Sequence, residues 1–229
     1  MTTFVLFHGG GSSAWDWNLV TPLLERAGHD VVAVDLPIED ENAVLADYVA
    51  AVVAAVTGVG TNPASPRRET IVVGHSLGGF TAPLVADELG ADGLVYLTAM
   101  IPLSGETCVD WWAHTGHDRE GVSDDPQVAF FTGVPDDLAR EARVRERDQQ
   151  GKWMSVPFFA EPHPSRPTRA LLCSDDQFFP AVFMARQIRE RLGIAPVEIP
   201  GGHYAMLSEP RAVAAALNVF AREVRSAGD

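Results

Sequence analysis

A serine between small residues gives the first indication of chemistry in this sequence. Ser76 lies in the stretch Gly74-His-Ser-Leu-Gly78, directly after the apolar run Thr70–Val73. A serine in a turn is usually only a hydrogen-bonding group for the backbone, but this pattern between a strand and a helix is typical of a nucleophile. Such a turn strains the backbone of its serine, and a larger residue at Gly74 or Gly78 would collide with the neighbouring strand and helix.

A nucleophilic serine needs a base and an acid that orients the base. His203 follows the last apolar run of the chain, and two adjacent carboxylates, Asp175 and Asp176, follow the run before it. The spacing favours Asp176 as the acid, because it stands four residues before Pro180, which opens the next helix. Asp175 remains the alternative acid, or else a cap on the loop before that proline.

The glycines after the first apolar run are candidates for stabilising negative charge. A tetrahedral intermediate develops an oxyanion, which backbone N–H groups must meet. In His8-Gly-Gly-Gly11 the amide of Gly10 can approach a substrate oxygen, and Leu77 supplies a second N–H at the start of a helix, where the dipole helps. His8 is interpreted as a brace for this loop.

The elements that must position these residues alternate along the chain. Short apolar runs without polar alternation are typical of buried parallel strands, and amphipathic segments between them predict helices. This alternation predicts an α/β fold, with a parallel sheet covered on both faces. The predicted strands are Thr3–Phe7, Asp30–Val34, Thr70–Val73, Gly93–Leu97, Arg169–Cys173 and Pro196–Ile199. The predicted helices are Ala43–Thr57, Phe80–Leu89, Pro180–Leu192 and a last helix from about Glu209.

The segment 102–167 interrupts this alternation between the fourth and fifth predicted strands. We interpret it as a small inserted cap, or as a set of functional loops, on a core formed by residues 1–101 and 168–229. It contains a charged helix candidate, Asp136–Gln150, and many aromatic residues, which are more often core than pocket when taken singly. Together they predict an apolar acyl or aromatic site. The candidate substrate contacts are Trp111, Trp112, Phe130 and Phe158.

Composition excludes several classes of partner. The chain has 229 residues and a formal net charge of −14, which repels nucleic acid and anionic membranes and favours a small neutral molecule. Two cysteines give no disulfide framework, and with no readable signal peptide we expect a cytoplasmic protein. A homodimer stays open. His114 and His117 have a spacing that could ligate a metal, but without a third ligand we expect no metal site.

The motifs together resemble the α/β-hydrolase fold family. The resemblance rests on His8–Trp17, Val34–Pro37, Gly74–Gly79, Asp176–Pro180 and Pro200–His203. More narrowly, the opening and closing motifs resemble the cofactor-free branch with plant methylesterases, hydroxynitrile lyases and carboxylesterase-like proteins. The resemblance implies a triad of Ser76, Asp176 and His203, oxyanion donors at Gly10 and Leu77, no cofactor, and six parallel strands in the order 2-1-3-4-5-6.

Two positions separate hydrolysis from lyase chemistry in that branch. The lyases carry a hydroxyl residue in the oxyanion loop and a lysine beside the catalytic histidine, and here those positions are Gly9 and Tyr204. Both are also candidate substrate contacts. The resemblance therefore implies a serine esterase that acts on a small, largely apolar ester. The alternatives are a hydroxynitrile lyase-like enzyme that uses the same triad as a base, and a ligand-sensing homologue with vestigial turnover.

Overall fold

A six-stranded parallel sheet forms the centre of the molecule. The computed structural model describes residues 1–58, 68–160 and 166–228. The strands are β1 (Thr2–Phe7), β2 (Asp30–Val34), β3 (Glu69–His75), β4 (Gly93–Leu97), β5 (Thr168–Cys173) and β6 (Val197–Ile199). They lie in the order β2-β1-β3-β4-β5-β6, and every neighbouring pair is parallel. The predicted order and fold class are confirmed.

The strands are largely apolar, because both faces of the sheet are covered. Phe4–Phe7 of β1 and Gly93–Leu97 of β4 are buried without interruption. The register places Phe7 beside Val34 on one side and Gly74 on the other. All strands point the same way, so the loops that follow β1, β3, β5 and β6 leave the sheet at one edge.

Helices cover the two faces of the sheet. They are α1 (Thr21–Arg26), α2 (Leu45–Gly58), α3 (Ala82–Glu88), α4 (Cys108–Thr115), α5 (Pro126–Ala129), α6 (Asp136–Val144), α7 (Ala181–Leu192), α8 (Ala205–Ser208) and α9 (Pro210–Gly228). The helices α2, α3 and α7 pack on one face through residues such as Val52, Val85 and Ile188. On the other face α1 and α9 bury Leu24 and Phe220.

Short helices separated by loops make up the described part of the segment between β4 and β5. It carries α4, α5, α6 and a 3-10 turn, Lys152–Ser155. Trp111 and Trp153 of this segment belong to the same apolar cluster as Phe80 and Val85 of the core. The segment is therefore packed firmly against the sheet layers.

The charged helix in this segment is shorter than predicted. The sequence pattern predicted Asp136–Gln150, but the helix ends at Val144. The chain then turns toward the sheet, because the Arg147 N–H donates to the Gly11 carbonyl oxygen at 2.8 Å and the Gln150 N–H donates to the Ile38 carbonyl oxygen at 2.8 Å. These two long-range hydrogen bonds replace the intrahelical bonds that a longer helix would have made.

The proline, serine, threonine and asparagine residues of Gly58–Arg68 predict a surface loop. Residues 59–67 of this stretch lie outside the described ranges, as do residues 161–165 of the segment between β4 and β5. Across the ranges that are described, none of the helices combines the length and the apolar character that a membrane crossing requires.

Candidate active site

The chain makes a sharp turn at Ser76, directly after β3. Ser76 has a φ of 50°, which is unusual for a residue other than glycine and costs roughly 1–2 kcal/mol. A Cβ at Gly74 would lie 2.8 Å from the Cβ of Ala82, and one at Gly78 would lie 2.8 Å from the His8 carbonyl oxygen. The predicted collisions with the neighbouring helix and strand are confirmed. The glycines thus allow the serine to stand in this strained turn.

The helix after the serine begins differently from the prediction. Instead of one helix over 80–89, a 3-10 turn at Ser76–Phe80 leads into α3. Gly79 allows the backbone at Met100 to approach this turn closely, because a Cβ at position 79 would overlap the carbonyl oxygen of Met100. The tight turn lets the chain after β4 pass directly against the turn, where the Met100 N–H donates to the Ser76 carbonyl oxygen at 2.9 Å.

Three side chains from distant parts of the sequence form one hydrogen-bonded row. The Nε2 of His203 lies 2.9 Å from the Oγ of Ser76, and its Nδ1 lies 2.9 Å from the Oδ2 of Asp176. All three residues are buried, with relative exposures of 9% for Ser76 and 2% for each of the others. The hydroxyl can therefore pass its proton to the imidazole, and the carboxylate fixes which imidazole nitrogen carries hydrogen.

The carboxylate of Asp176 is fully occupied by hydrogen-bond donors. Its Oδ1 accepts from the N–H groups of Phe178 and Phe179 at 2.9 and 2.8 Å. Its Oδ2 accepts from the Thr98 hydroxyl at 2.5 Å as well as from His203. Asp175 is exposed and instead accepts from Ser174 and from the Gly201 N–H. The structure thus places Asp176, and not its neighbour, against the imidazole.

The glycine loop after β1 lies beside the serine turn. A Cβ at Gly9 would lie 2.7 Å from the Ser76 Cβ, and one at Gly10 would lie 3.1 Å from the Leu77 Cδ2. Leu77 is in the first turn of a 3-10 helix, where backbone N–H groups have no partner within the helix. The amides of Gly10 and Leu77 thus belong to two adjacent segments, as an oxyanion hole requires.

The side chain of His8 links the glycine loop to the chain after β2. Its Nδ1 lies 2.7 Å from the Gly9 carbonyl oxygen, and its Nε2 accepts from the Leu36 N–H at 3.0 Å. One nitrogen donates and the other accepts, which is the pattern of a neutral imidazole. Burial lowers the pKa of His8 to about 4, so the ring stays neutral near pH 7 and serves as a brace.

A second row of polar groups joins the glycine loop to the histidine loop. The Ser12 Oγ lies 2.6 Å from the hydroxyl oxygen of Tyr204. Ser12 also hydrogen-bonds to the buried carboxyl group of Asp16, whose pKa is raised to about 7, chiefly by burial. The ring of Tyr204 stacks on Phe131 at 4.7 Å. Tyr204 is therefore held between the two loops rather than turned toward an open pocket.

Aromatic rings surround the imidazole of His203. Phe178, Phe179 and Phe130 have ring centroids 5.1, 5.2 and 5.7 Å from it. On the sheet side, His75 lies 5.0 Å away, and its Nε2 is 2.9 Å from the His203 carbonyl oxygen. Burial, as the larger cause, and the nearby His203, as the smaller one, hold the pKa of His75 well below its usual value. The reacting groups therefore lie in a largely apolar environment.

The candidate aromatic contacts separate into two groups. Phe130 is half-buried and lies beside His203, while Trp112 is half-buried and packs on Phe178 at 5.9 Å. Trp111 and Phe158 are at most 1% exposed and belong to the core, where the Trp111 Nε1 donates to the Ile101 carbonyl oxygen. Of these four, Phe130 is the one that the structure brings next to the row of reacting groups.

The two histidines considered as metal ligands have other partners. The Nδ1 of His114 lies 3.0 Å from a carboxylate oxygen of Glu106, and the Nε2 of His117 lies 2.6 Å from the Phe178 carbonyl oxygen. Among the described residues, no group of three or more histidine, cysteine or acidic side chains could hold a metal ion.

Several residues of this site were missed from the sequence. Thr98 donates to Asp176, and Phe178 lies against His203, although both follow predicted strands at the same sheet edge and could have been included on that ground. Asp16 and Ser12 gave no signal, because polar residues in loops are ordinarily exposed.

Comparison with known proteins agrees with this geometry. The sequence profile of the alpha/beta hydrolase family matches residues 4–216. The chain belongs to this family. Salicylic acid-binding protein 2 of Nicotiana tabacum is 28% identical over an alignment of 252 positions, which covers 93% of this chain and 95% of that protein. Polyneuridine aldehyde esterase of Rauvolfia serpentina is 27% identical over an alignment of 249 positions, which covers 92% of each chain.

The fold is also shared with solved structures. The crystal structure of polyneuridine aldehyde esterase superposes with a TM-score of 0.79 at 23% identity, over 96% of this chain and 98% of that one. At this identity, the superposition shows a common fold.

Proposed function

We propose that this protein is a serine esterase that cleaves carboxylic esters through an acyl-enzyme intermediate. The observation that carries the proposal is the pair of 2.9 Å contacts that link Ser76 to His203 and His203 to Asp176. The full-length similarity to polyneuridine aldehyde esterase supports the same reaction class. The mechanism needs no metal or cofactor, because the side chains supply the nucleophile, the base and the charge stabilisation.

In the first half of the reaction, the Ser76 Oγ attacks the ester carbonyl carbon and its proton moves to the Nε2 of His203. The carbonyl oxygen becomes an oxyanion, which the N–H groups of Gly10 and Leu77 stabilise. Asp176 keeps the Nδ1–H of the imidazole directed toward itself and stabilises the imidazolium. His203 then gives its proton to the leaving alcohol, and the acyl group stays on Ser76.

In the second half, water attacks the acyl-enzyme carbonyl and gives a proton to His203. The new oxyanion occupies the same two N–H groups, and its collapse returns the proton to the Ser76 Oγ and releases the acid. The apolar wall formed by Phe130 and Phe178 raises the strength of each of these charge interactions, because it keeps the local dielectric low.

The substrate that fits this environment is a small, largely apolar ester. We assign residues 102–167 to a cap over the core formed by 1–101 and 168–229, since this segment contributes Phe130 to the surroundings of His203. Trp112 extends the apolar surface behind Phe178. Trp111, Phe158 and Tyr204 would act on the substrate indirectly, by holding these contacts in place.

Lyase chemistry is the less favoured reading for a steric reason. A hydroxyl side chain at position 9, as the lyases of this branch carry, would begin 2.7 Å from the Ser76 Cβ and collide with it. The position after His203 holds a tyrosine whose hydroxyl is already bonded to Ser12, instead of a lysine that could take up a leaving anion.

A ligand-sensing role would show slow single-turnover labelling and a ligand-induced rise in stability.

The decisive experiment compares Ser76→Ala with Ser226→Ala, a matched control on the exposed end of α9. Wild-type protein and the control should hydrolyse p-nitrophenyl acetate in repeated turnovers and react with a fluorophosphonate probe. Ser76→Ala should do neither while keeping the wild-type melting temperature. Steady turnover in folded Ser76→Ala protein would remove the serine from the mechanism, and cyanohydrin cleavage without ester cleavage would favour the lyase.

We further propose a cytoplasmic location, which the two buried free thiols, Cys108 and Cys173, support because a reducing compartment preserves them. A homodimer remains a prediction, which a molar mass from light scattering would test. The acidic surface, with a net charge of −14, supports a neutral small molecule as the partner rather than nucleic acid.

A further inference from the structure

A small cavity lies beside the glycine loop, away from His203. It has about 10 Å³ of room for the centre of a water-sized group, which is about enough for one water molecule or one hydroxyl group. Gly9 and Leu77 line one side, and the side chains of Tyr48, Gln149 and Trp153 line the other. The cavity thus joins the region proposed to hold the substrate carbonyl to polar groups of α2 and of the segment between β4 and β5.

The amide of Gln149 has a fixed orientation in this cavity. Its Nε2 donates to the Gln150 carbonyl oxygen at 2.9 Å and to the Tyr48 hydroxyl oxygen at 3.2 Å. A flipped amide would place two acceptor oxygens against each other at Gln150, so the assignment of nitrogen and oxygen is determined. The Oε1 is buried and has no hydrogen-bond partner among the described residues. It is therefore a buried acceptor that lacks a donor.

The hydroxyl group of Tyr48 complements this acceptor. Its oxygen accepts from Gln149 and also from the Trp153 Nε1, which lies 3.0 Å away. A phenol oxygen has two lone pairs and one proton, so both lone pairs are used and the proton remains to be donated. As far as the described residues go, the cavity is thus lined by one free acceptor and one free donor, which is the complement of a hydroxyl group.

The distance to the glycine loop relates this pair to the substrate. A Cβ at Gly10 would lie 3.7 Å from the Gln149 Oε1 and 3.1 Å from the Leu77 Cδ2. A hydroxyl bonded to Oε1 at about 2.8 Å would therefore lie only a few ångströms from the oxygen of a carbonyl held by Gly10 and Leu77. We propose that Gln149 and Tyr48 form a hydroxyl-binding subsite, which selects acyl groups with a hydroxyl one or two carbons from the ester carbonyl.

The charges around the cavity favour a neutral group over an ion. The other lining side chains include Leu36, Ile38 and Thr81, and His8 is neutral because burial lowers its pKa to about 4. An ammonium or carboxylate group would be buried here without a counter-charge, which is costly. An acyl chain that ends in a methyl group would leave the Gln149 oxygen unpaired, as it is without substrate.

The test rests on the proposed ester hydrolysis and compares esters that differ by one oxygen atom. Methyl lactate is paired with methyl propionate, and methyl 3-hydroxybutanoate with methyl butanoate, with methanol release as the readout. In the wild-type protein, kcat/KM for the hydroxy ester of at least one pair should exceed that of its partner by about tenfold, which is the effect of two neutral hydrogen bonds. Equal values in both pairs would overturn the subsite, even if both esters are hydrolysed well.

Gln149→Leu should remove this preference, so that kcat/KM for each hydroxy ester becomes about equal to that for its unsubstituted partner. The matched control is Gln150→Leu, because the Gln150 side chain bonds to Asp148 instead of lining the cavity. The control should keep the preference. A preference that survives in Gln149→Leu would refute the assignment. If the wild-type protein turns over none of the four esters and does not react with the fluorophosphonate probe, the result would instead count against the proposed esterase.

Discussion

Asp16 should make the stability of this protein fall as pH rises through neutrality. The side chain is 3% exposed, and its Oδ2 has no hydrogen-bond partner within the described ranges. Burial raises the pKa of this carboxyl group from 3.8 to about 7, and hydrogen bonds from Ser12 and Ser13 oppose the rise only in part. The folded protein therefore keeps a proton that the unfolded chain has already lost.

The sign follows from the number of bound protons. Between the two pKa values the folded state binds more protons than the unfolded state, so the free energy of unfolding decreases as pH rises. The contribution is fully present below pH 3.8 and is lost by pH 7. At 1.36 kcal/mol for each pKa unit, the whole loss is ~4 kcal/mol, of which ~3 kcal/mol falls between pH 5 and pH 8.

Asp16→Asn isolates this effect, because asparagine has the shape of the protonated carboxyl group and cannot ionise. Urea unfolding should show that the free energy of unfolding of the variant, relative to that of the wild-type protein, rises by ~3 kcal/mol between pH 5 and pH 8. Asp124→Asn, at an exposed carboxylate, should show no such rise. A difference that is the same at both pH values would show that Asp16 ionises normally in the folded protein.

Three further changes have defined outcomes. Asp176→Asn should lower kcat for p-nitrophenyl acetate by ~10⁴, because the imidazole loses its orienting acceptor, while Asp175→Asn should remain close to wild type; similar losses in both would contradict the assignment. Glu106→Gln should lower the free energy of unfolding in urea by ~3 kcal/mol, because it breaks a buried ion pair with bonds of 2.6 and 3.1 Å. Gly79→Ala should prevent folding, as judged by circular dichroism, since its Cβ would overlap a carbonyl oxygen. Gly105→Ala has open space around it and should lower the free energy of unfolding by only ~1 kcal/mol. A folded Gly79→Ala protein would refute this packing argument.

The residues at the sheet edge could be predicted because each follows an apolar strand directly. The alternation of strands and helices predicts a parallel sheet, which brings Ser76, Asp176 and His203 to one edge, while the strand order itself was implied by the family resemblance and is confirmed by the structure. The choice between Asp175 and Asp176 rested on spacing alone. The structure adds the physical reason, since the two amides after Asp176 bond to its side chain and turn it toward the imidazole.

The contributions of the segment between β4 and β5 could not be predicted in the same way. Gln149 reaches the glycine loop only because the chain leaves α6 at Val144 and bonds to Gly11 and Ile38. The sequence carries no glycine or proline at that helix end, so its charged pattern continues and predicts a longer helix. Had α6 continued to residue 150, neither bond could have formed, and the amide of Gln149 would have been carried away from Tyr48. The groups proposed for the chemistry thus depend on strand order, whereas the groups proposed for substrate choice depend on where one helix stops.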